Sequence, residues 1–65
     1  MIISLNGKEK TIYSNELVSL IKELELDLES LVTILNEKVI PKSEYASISL
    51  KENDKVEILN FVSGG

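Results

Sequence analysis

The chain has 65 residues, none of them cysteine, histidine or arginine, and eleven acidic residues against seven lysines give a net charge of −4. These counts exclude disulfides, a thiolate nucleophile and cysteine- or histidine-ligated metals, and they disfavour binding to nucleic acid phosphates. The hydrophobic fraction of 43% argues against disorder, and no apolar run reaches the roughly 20 residues of a membrane span. We therefore expect one soluble, cytoplasmic domain over residues 1–65, monomeric when free, without nucleic-acid or membrane partners, and too small to enclose an active site of its own.

The first predicted element is a β-hairpin. Apolar residues alternate through Met1–Leu5, and Asn6-Gly7 follows. Both turn residues tolerate positive φ, which a type I′ turn requires, so the return strand should run through 8–13. A two-residue loop would place Lys8 and Lys10 on the apolar face. We therefore expect either that Lys8 lies near the sheet edge or that the loop is longer than two residues.

The second element is an amphipathic helix, because four apolar residues recur at helical spacing: Leu17, Leu20, Ile21 and Leu24. Ser14 and Asn15 before it are both competent N-caps. No glycine or proline marks the end of the helix, which we place near Glu25. Leu26 and Leu28 should then fold back onto the core.

The second half of the chain is predicted to consist mainly of strands. The predicted pieces are a strand over 31–36, a turn at Glu37-Lys38, a continuation to Pro41, one helical turn over 41–45, a short strand over 47–50, a polar turn over 51–54 and a closing strand over 55–62. A lone helix on one face of a mixed sheet is an α+β layer arrangement.

The C-terminal residues Ser63, Gly64 and Gly65 form a tail that we expect to be flexible when free. Glycine has no Cβ, so Gly64-Gly65 can be threaded where no other dipeptide fits. Nothing beside the terminal carboxylate blocks attack at its carbonyl carbon. Because the chain has no cysteine thiolate and no histidine base, this carboxylate is the candidate reactive group.

The closing strand also predicts a docking patch. If Val56 and Ile58 face a core covered by the helix, Leu59 and Phe61 point away from it, near an outward-facing Ile2. Exposed apolar clusters often mark the sites where partners bind. We therefore expect Ile2, Leu59 and Phe61 to form one partner-docking patch.

The element order and the tail together resemble the ubiquitin-like β-grasp fold, and more narrowly the ThiS family of thiamin-biosynthesis sulfur carriers. The resemblance covers nearly the whole chain. It is carried by the hairpin at Asn6-Gly7, the helix over 17–24, the segment from Leu35 through Pro41 to Tyr45, and the run over 54–58 that leads to Gly64-Gly65. Two positions depart from the family pattern: Asn53 stands where glycine is usual, and Glu16 where a capping threonine is common.

The resemblance implies a mechanism in which the protein is a cosubstrate with no catalytic residue, bound cofactor or metal of its own. A ubiquitin-activating-like adenylyltransferase would use ATP and magnesium to adenylate Gly65. A cysteine desulfurase or another persulfide donor would then convert that group to a thiocarboxylate, and thiazole synthase would take the sulfur. Ser63, Gly64 and Gly65 would be threaded into each partner.

Three other functions fit the same pattern. The small subunit of molybdopterin synthase resembles this chain in fold and tail, although the short length and the segment from Pro41 to Tyr45 fit thiamin carriers better. A ubiquitin-like modifier would be joined through Gly65 to lysines of target proteins. The third alternative is a β-grasp interaction module with an inert tail. Intact mass under sulfur supply separates a carrier from a conjugated tag and from an unmodified module.

Overall fold

The structure is a computed structural model that describes residues 1–61. Its elements in chain order are β1 (Ile2–Leu5), β2 (Lys8–Thr11), α1 (Leu17–Glu23), a 3₁₀ turn (Leu28–Ser30), β3 (Leu31–Leu35), β4 (Lys38–Ile40), a second 3₁₀ turn (Lys42–Ser47) and β5 (Lys55–Asn60). The five strands form one sheet in the order β2-β1-β5-β3-β4. β1 and β5 are parallel, and the other neighbouring strands are antiparallel. The predicted α+β class with a ubiquitin-like mixed sheet and one main helix is therefore confirmed.

The core lies between α1 and one face of the sheet. The helix contributes Leu17, Leu20 and Ile21, as its spacing predicts, and the sheet contributes Ile3, Val56 and Ile58 among others. Leu26 and Leu28 pack against this cluster, so the predicted fold-back is confirmed. No helix within residues 1–61 is long and apolar enough to cross a membrane.

The first hairpin has the two-residue turn that Asn6-Gly7 predicts. The φ angles are 51° at Asn6 and 83° at Gly7, and Leu5 pairs with Lys8 across the turn. The tight loop places Lys8 and Lys10 on the apolar face, and the chain accommodates both because β2 is an edge strand. Lys8 is exposed, while the Lys10 ammonium reaches the Glu23 carboxylate at 2.7 Å. The expectation of Lys8 near the sheet edge is correct, and the longer loop is not formed.

The start of α1 differs from the prediction. Neither Ser14 nor Asn15 is the N-cap; that position belongs to Glu16, whose side chain caps no backbone amide. The reason is a pair of tertiary contacts. Glu16 forms an isolated antiparallel bridge with Ser49, and the Asn15 carbonyl accepts a hydrogen bond from the Leu50 amide at 2.6 Å. This bridge keeps the chain extended up to the first helical residue.

The end of α1 also falls earlier than predicted, at Glu23 instead of near Glu25. Glu25 has φ of 58°. The Leu26 amide donates to the Ile21 carbonyl at 3.4 Å, and the Glu25 amide donates to the Lys22 carbonyl at 3.0 Å. This pair of bonds is a Schellman motif. The left-handed residue of this motif is Glu25, where glycine is usual. The sequence therefore lacks the glycine that would have predicted where the helix ends.

Two further predictions in the second half of the chain are wrong. The second hairpin turns at Asn36-Glu37, one residue before the predicted Glu37-Lys38, with φ of 49° and 72°. The predicted strand over 47–50 is absent from the sheet, because Ser47 ends the second 3₁₀ turn and Ser49 makes a single bridge to Glu16.

The polar turn before β5 has the predicted left-handed residue. Asn53 has φ of 70°, and its amide donates to the Ile2 carbonyl at 2.8 Å. Asparagine tolerates this region better than other residues with a side chain. The turn is therefore formed with asparagine in the left-handed position.

We predict that Glu37→Gly stabilises the protein. Glu37 occupies the second position of a type I′ turn, where a non-glycine side chain costs about 1 kcal/mol. The variant should therefore melt roughly 4–8 °C above the parent. Glu57→Gly, within β5, is the matched control and should melt lower, because glycine weakens a strand interior. Equal shifts in the two variants would contradict the strain at Glu37.

Candidate functional site

β5 is the strand on which the candidate site is organised. It is central in the sheet, pairing with β1 on one side and β3 on the other. The chain continues from its end to the predicted reactive residue Gly65. Ser63, Gly64 and Gly65, together with Val62 of the predicted closing strand, lie outside the residues that the structure describes, so the predictions made for them stay predictions.

The end of β5 is held from both sides. On one side, the Phe61 amide donates to the Ser30 carbonyl at 2.7 Å. On the other side, the Asn6 carboxamide bonds the Ile58 main chain twice: its Oδ1 accepts from the Ile58 amide at 2.8 Å, and its Nδ2 donates to the Ile58 carbonyl at 3.2 Å. The Asn6 amide adds a bond to the Val56 carbonyl at 2.9 Å. The chain that leads to residue 65 therefore starts from a fixed point.

The three residues of the predicted docking patch are all exposed. The exposed fractions are 40% for Ile2, 48% for Leu59 and 58% for Phe61. Val56 and Ile58, which alternate with Leu59 along the strand, are buried. The prediction that Leu59 and Phe61 point away from the core is thus confirmed.

The predicted closeness of Ile2 to Leu59 is wrong. β1 and β5 are parallel with Ser4 opposite Lys55, so Ile2 lies level with Asn53, two residues before the beginning of β5. Leu59 is six positions further along, which is about 20 Å at the usual rise per strand residue. The error arises because alternation assigns a face to each side chain but gives no register between distant strands.

Other apolar residues flank Leu59 on the same face instead. Val32 in β3 lies opposite Leu59, Ile34 lies opposite Glu57, and Val39 in β4 lies opposite Ile34. Val32 and Ile34 are partly exposed, while Val39 is 65% exposed. We call the apolar residues on the outward face of these three strands, together with the residue that follows β5, the outer apolar patch: Val32, Ile34, Val39, Leu59 and Phe61.

Sequence reasoning missed the β3 and β4 members of this patch, although a signal was present. Leu31–Leu35 is apolar at every position except Thr33, and Thr33 is fully buried on the core face. Since successive strand residues face opposite sides, a strand without polar alternation must present apolar side chains on both faces. β3 therefore predicts an outward apolar surface as clearly as β5 does.

The rest of the described surface has no candidate metal site, and its ion pairs lie at the surface. Within residues 1–61, no three acidic side chains are grouped so that they could hold a metal ion. The two ion pairs in this part of the chain, Lys10–Glu23 and Lys42–Glu29, involve largely exposed carboxylates. What the arrangement can do is dock an apolar partner surface beside an anchored strand end.

Comparison with known proteins gives consistent matches over the whole chain. Residues 3–65 match the model of the ThiS family. The crystal structure of a thiamine biosynthesis protein (ThiS) from Geobacter metallireducens is 29% identical, with all of both chains covered and a TM-score of 0.83. A solution NMR structure of a thiamine biosynthesis protein from the same organism is also 29% identical, covers all of this chain and 88% of that one, and has a TM-score of 0.82.

A further match is to a longer protein. A thiazole synthase from Paramagnetospirillum magneticum is 33% identical over 66 residues, which take in all of this chain and 20% of that protein. This chain therefore spans about one fifth of the length of the curated relative it matches.

We predict that Leu59 and Phe61 contribute little to the stability of the fold. The double variant Leu59→Lys with Phe61→Lys should melt within a few degrees of the parent, because both side chains already face water. Val56→Lys is the matched control: Val56 is fully buried in the same strand, and a buried ammonium costs several kcal/mol. Thermal melts followed by circular dichroism measure both. Cooperative unfolding lost in the double variant would show that these side chains belong to the core.

Proposed function

This chain belongs to the ThiS family, and we propose that it is a cytoplasmic sulfur carrier of thiamine biosynthesis in which the Gly65 carboxylate carries the sulfur. The observation that carries the proposal is the extent of the family match, which runs through residue 65 and so includes the Gly-Gly tail. The shared fold over the full length of a ThiS protein supports it. The proposal takes Gly65 as the residue that bears the free carboxylate.

The chemistry begins with activation, because a carboxylate is a poor acyl donor. An oxygen of the Gly65 carboxylate attacks the α-phosphate of ATP in the adenylyltransferase, and magnesium pyrophosphate leaves. The terminal sulfur of a protein persulfide then attacks the carbonyl carbon, and AMP leaves. A thiol cleaves the resulting acyl disulfide and frees the thiocarboxylate. All catalytic groups belong to the partners, which is consistent with a chain that has no cysteine or histidine.

The geometry of the described residues limits where this chemistry can occur. Four residues separate the Phe61 main chain, anchored on Ser30, from the end of Gly65. A fully extended chain of four residues spans about 14 Å. The partner's reaction centre must therefore lie within that distance of the end of β5. Docking beside Phe61 meets this condition, and docking at the far end of the sheet does not.

The outer apolar patch satisfies this limit and is the proposed docking surface. Leu59 and Phe61 are at the end of β5, and Val32 is directly opposite Leu59. Ile2 is excluded from it, because it lies at the other end of the strand. The proposed partners are an adenylyltransferase that uses ATP and magnesium, a cysteine desulfurase or other sulfur donor, and a thiazole synthase. The similarity of this chain to part of a protein named thiazole synthase supports the last of these.

We predict that Leu59→Lys with Phe61→Lys weakens binding to the cognate thiazole synthase and adenylyltransferase. Two lysines would place strongly hydrated charges in a contact that otherwise buries apolar surface, and a loss of tenfold or more corresponds to at least about 1.4 kcal/mol. Ile2→Lys is the matched control, since it changes an exposed apolar residue of the same sheet face that lies about 20 Å from Leu59. Calorimetric titration measures each affinity. Equal losses in the double variant and in Ile2→Lys would contradict the assignment of the patch.

We also predict that the position of the Gly65 carboxylate is critical. Removing Gly65 shortens the reach by about 3.5 Å, and adding one residue lengthens it by the same amount. Misplacement by 1 Å can cost about a hundredfold in rate, so both variants should lose ATP–pyrophosphate exchange with the adenylyltransferase. Both should melt like the parent, because neither touches the described core.

Intact mass distinguishes the alternatives in the same experiment. Under sulfur supply, a carrier gains the difference between sulfur and oxygen, whereas a protein-modifying tag appears as larger conjugates. The proposal is contradicted if the extended variant exchanges pyrophosphate at the parental rate while its mass shows that the added residue is still present.

A further inference from the structure

Asn6 combines a reactive sequence context with a side chain that is held by two hydrogen bonds. It is one of five asparagines in the chain and the one that is followed by glycine. Gly7 is exposed, has φ of 83°, and has no heavy atom near the position a Cβ would occupy. Within residues 1–61, we find no hydrogen-bond acceptor for the Gly7 amide. The nitrogen that follows Asn6 is therefore sterically open and unpaired.

This arrangement supports a covalent reaction that needs only water. The Gly7 backbone nitrogen attacks Cγ of Asn6, its proton leaves with the amide nitrogen as ammonia, and a five-membered cyclic imide forms. Water then opens either C–N bond of the imide, which gives aspartate or isoaspartate. The net change is the hydrolysis of one amide to a carboxylate and ammonium, with no oxidant or reductant.

We propose that Asn6 is a deamidation site of this protein, gated by the opening of its two hydrogen bonds to Ile58, and that the product uncouples the β1–β2 hairpin from β5. In the folded chain, Cγ cannot meet the Gly7 nitrogen while Oδ1 and Nδ2 are both held on the Ile58 main chain. Reaction follows local opening of the hairpin tip, which is a low-energy fluctuation for an exposed turn.

The second hairpin supplies an internal comparison. Asn36 occupies the same turn position with nearly the same φ, 49° against 51°. Its side chain is also held twice, with Nδ2 on the Asp54 carboxylate at 3.0 Å and Oδ1 on the Lys55 amide at 2.9 Å. The following residue is Glu37, whose side chain crowds the attacking nitrogen. The Asn36 side chain is thus held as the Asn6 side chain is, but the backbone nitrogen that follows it belongs to Glu37 and is less accessible than that of Gly7.

The product disturbs the contact that the amide makes. The side chain of aspartate has no N–H, so at position 6 it places a carboxylate oxygen against the Ile58 carbonyl oxygen, where Nδ2 now lies at 3.2 Å. Isoaspartate adds one carbon to the backbone of a turn that spans only two residues. Both products loosen the junction between the first hairpin and β5.

The first experiment follows each asparagine by peptide mass mapping while the full chain is incubated in mildly alkaline buffer, folded or in urea. We expect Asn6 to convert before Asn36 in both conditions, and at least about tenfold more slowly in the folded chain than in urea, since two bonds must open first. In Glu37→Gly, Asn36 should become reactive as well.

Three outcomes would overturn the proposal. The first is equal conversion of Asn6 and Asn36 in the folded parent. The second is conversion of Asn6 as fast in the folded chain as in urea. The third is an Asn6 that stays intact in the folded chain although it converts fully in urea.

The second experiment tests the effect of the product with Asn6→Asp. We expect the variant to melt at least about 5 °C below the parent at neutral pH. The deficit should shrink below about pH 4, where the protonated acid can donate to the Ile58 carbonyl. Asn15→Asp, an exposed change outside these bonds, is the control and should melt like the parent. A neutral-pH melting temperature equal to the parent's would overturn the uncoupling. These readouts use no partner enzyme, so they stand or fall independently of the sulfur-carrier proposal.

Discussion

The parallel pairing of β1 with β5 is the constraint on which the rest of this structure depends. It joins the first strand to the last strand of residues 1–61 and makes β5 the central strand. Only two residue pairs form the regular ladder, Ser4 with Lys55 and Leu5 with Val56. The Asn6 carboxamide extends the junction by acting as a further peptide unit against Ile58. One side chain thereby supplies the donor and the acceptor that a longer β1 would have provided.

At the other hairpin too, an asparagine side chain makes hydrogen bonds that strand pairing would otherwise supply. Asn36 bonds the Lys55 amide and the Asp54 carboxylate, and Asp54 in turn accepts from the Lys51 amide at 2.8 Å. Two asparagines in the left-handed region thus tie two hairpin turns to the same strand, one near its beginning and one near its end. These local anchors supplement the ladders of the sheet, of which the β1–β5 ladder is the shortest, with two residue pairs.

Sequence reasoning succeeded where the physical cause is local. Alternation in β5 gave the faces of Val56 and Leu59, helical spacing gave the buried face of α1, and Asn6-Gly7 gave the first turn. It failed where contacts between distant parts of the chain determine the local structure. The bridge between Glu16 and Ser49 displaced the N-cap, and the turn at Asn36 was selected by bonds to residues 54 and 55. For the proposed docking surface, alternation correctly predicted that Leu59 and Phe61 are exposed. It could not predict the register of β1 against β5, which places Ile2 far from Leu59.

The central position of β5 also determines how the domain responds to force. A partner that draws the C-terminal segment into a channel pulls along the axis of this strand. The main-chain bonds to β1 and β3 run across that axis, perpendicular to it on the antiparallel β3 side and slanted on the parallel β1 side. They are therefore loaded together in shear instead of being opened one at a time. An edge strand would peel away from its single neighbour under the same load. The strand at the base of the tail is thus the one best placed to transmit tension without unravelling the sheet.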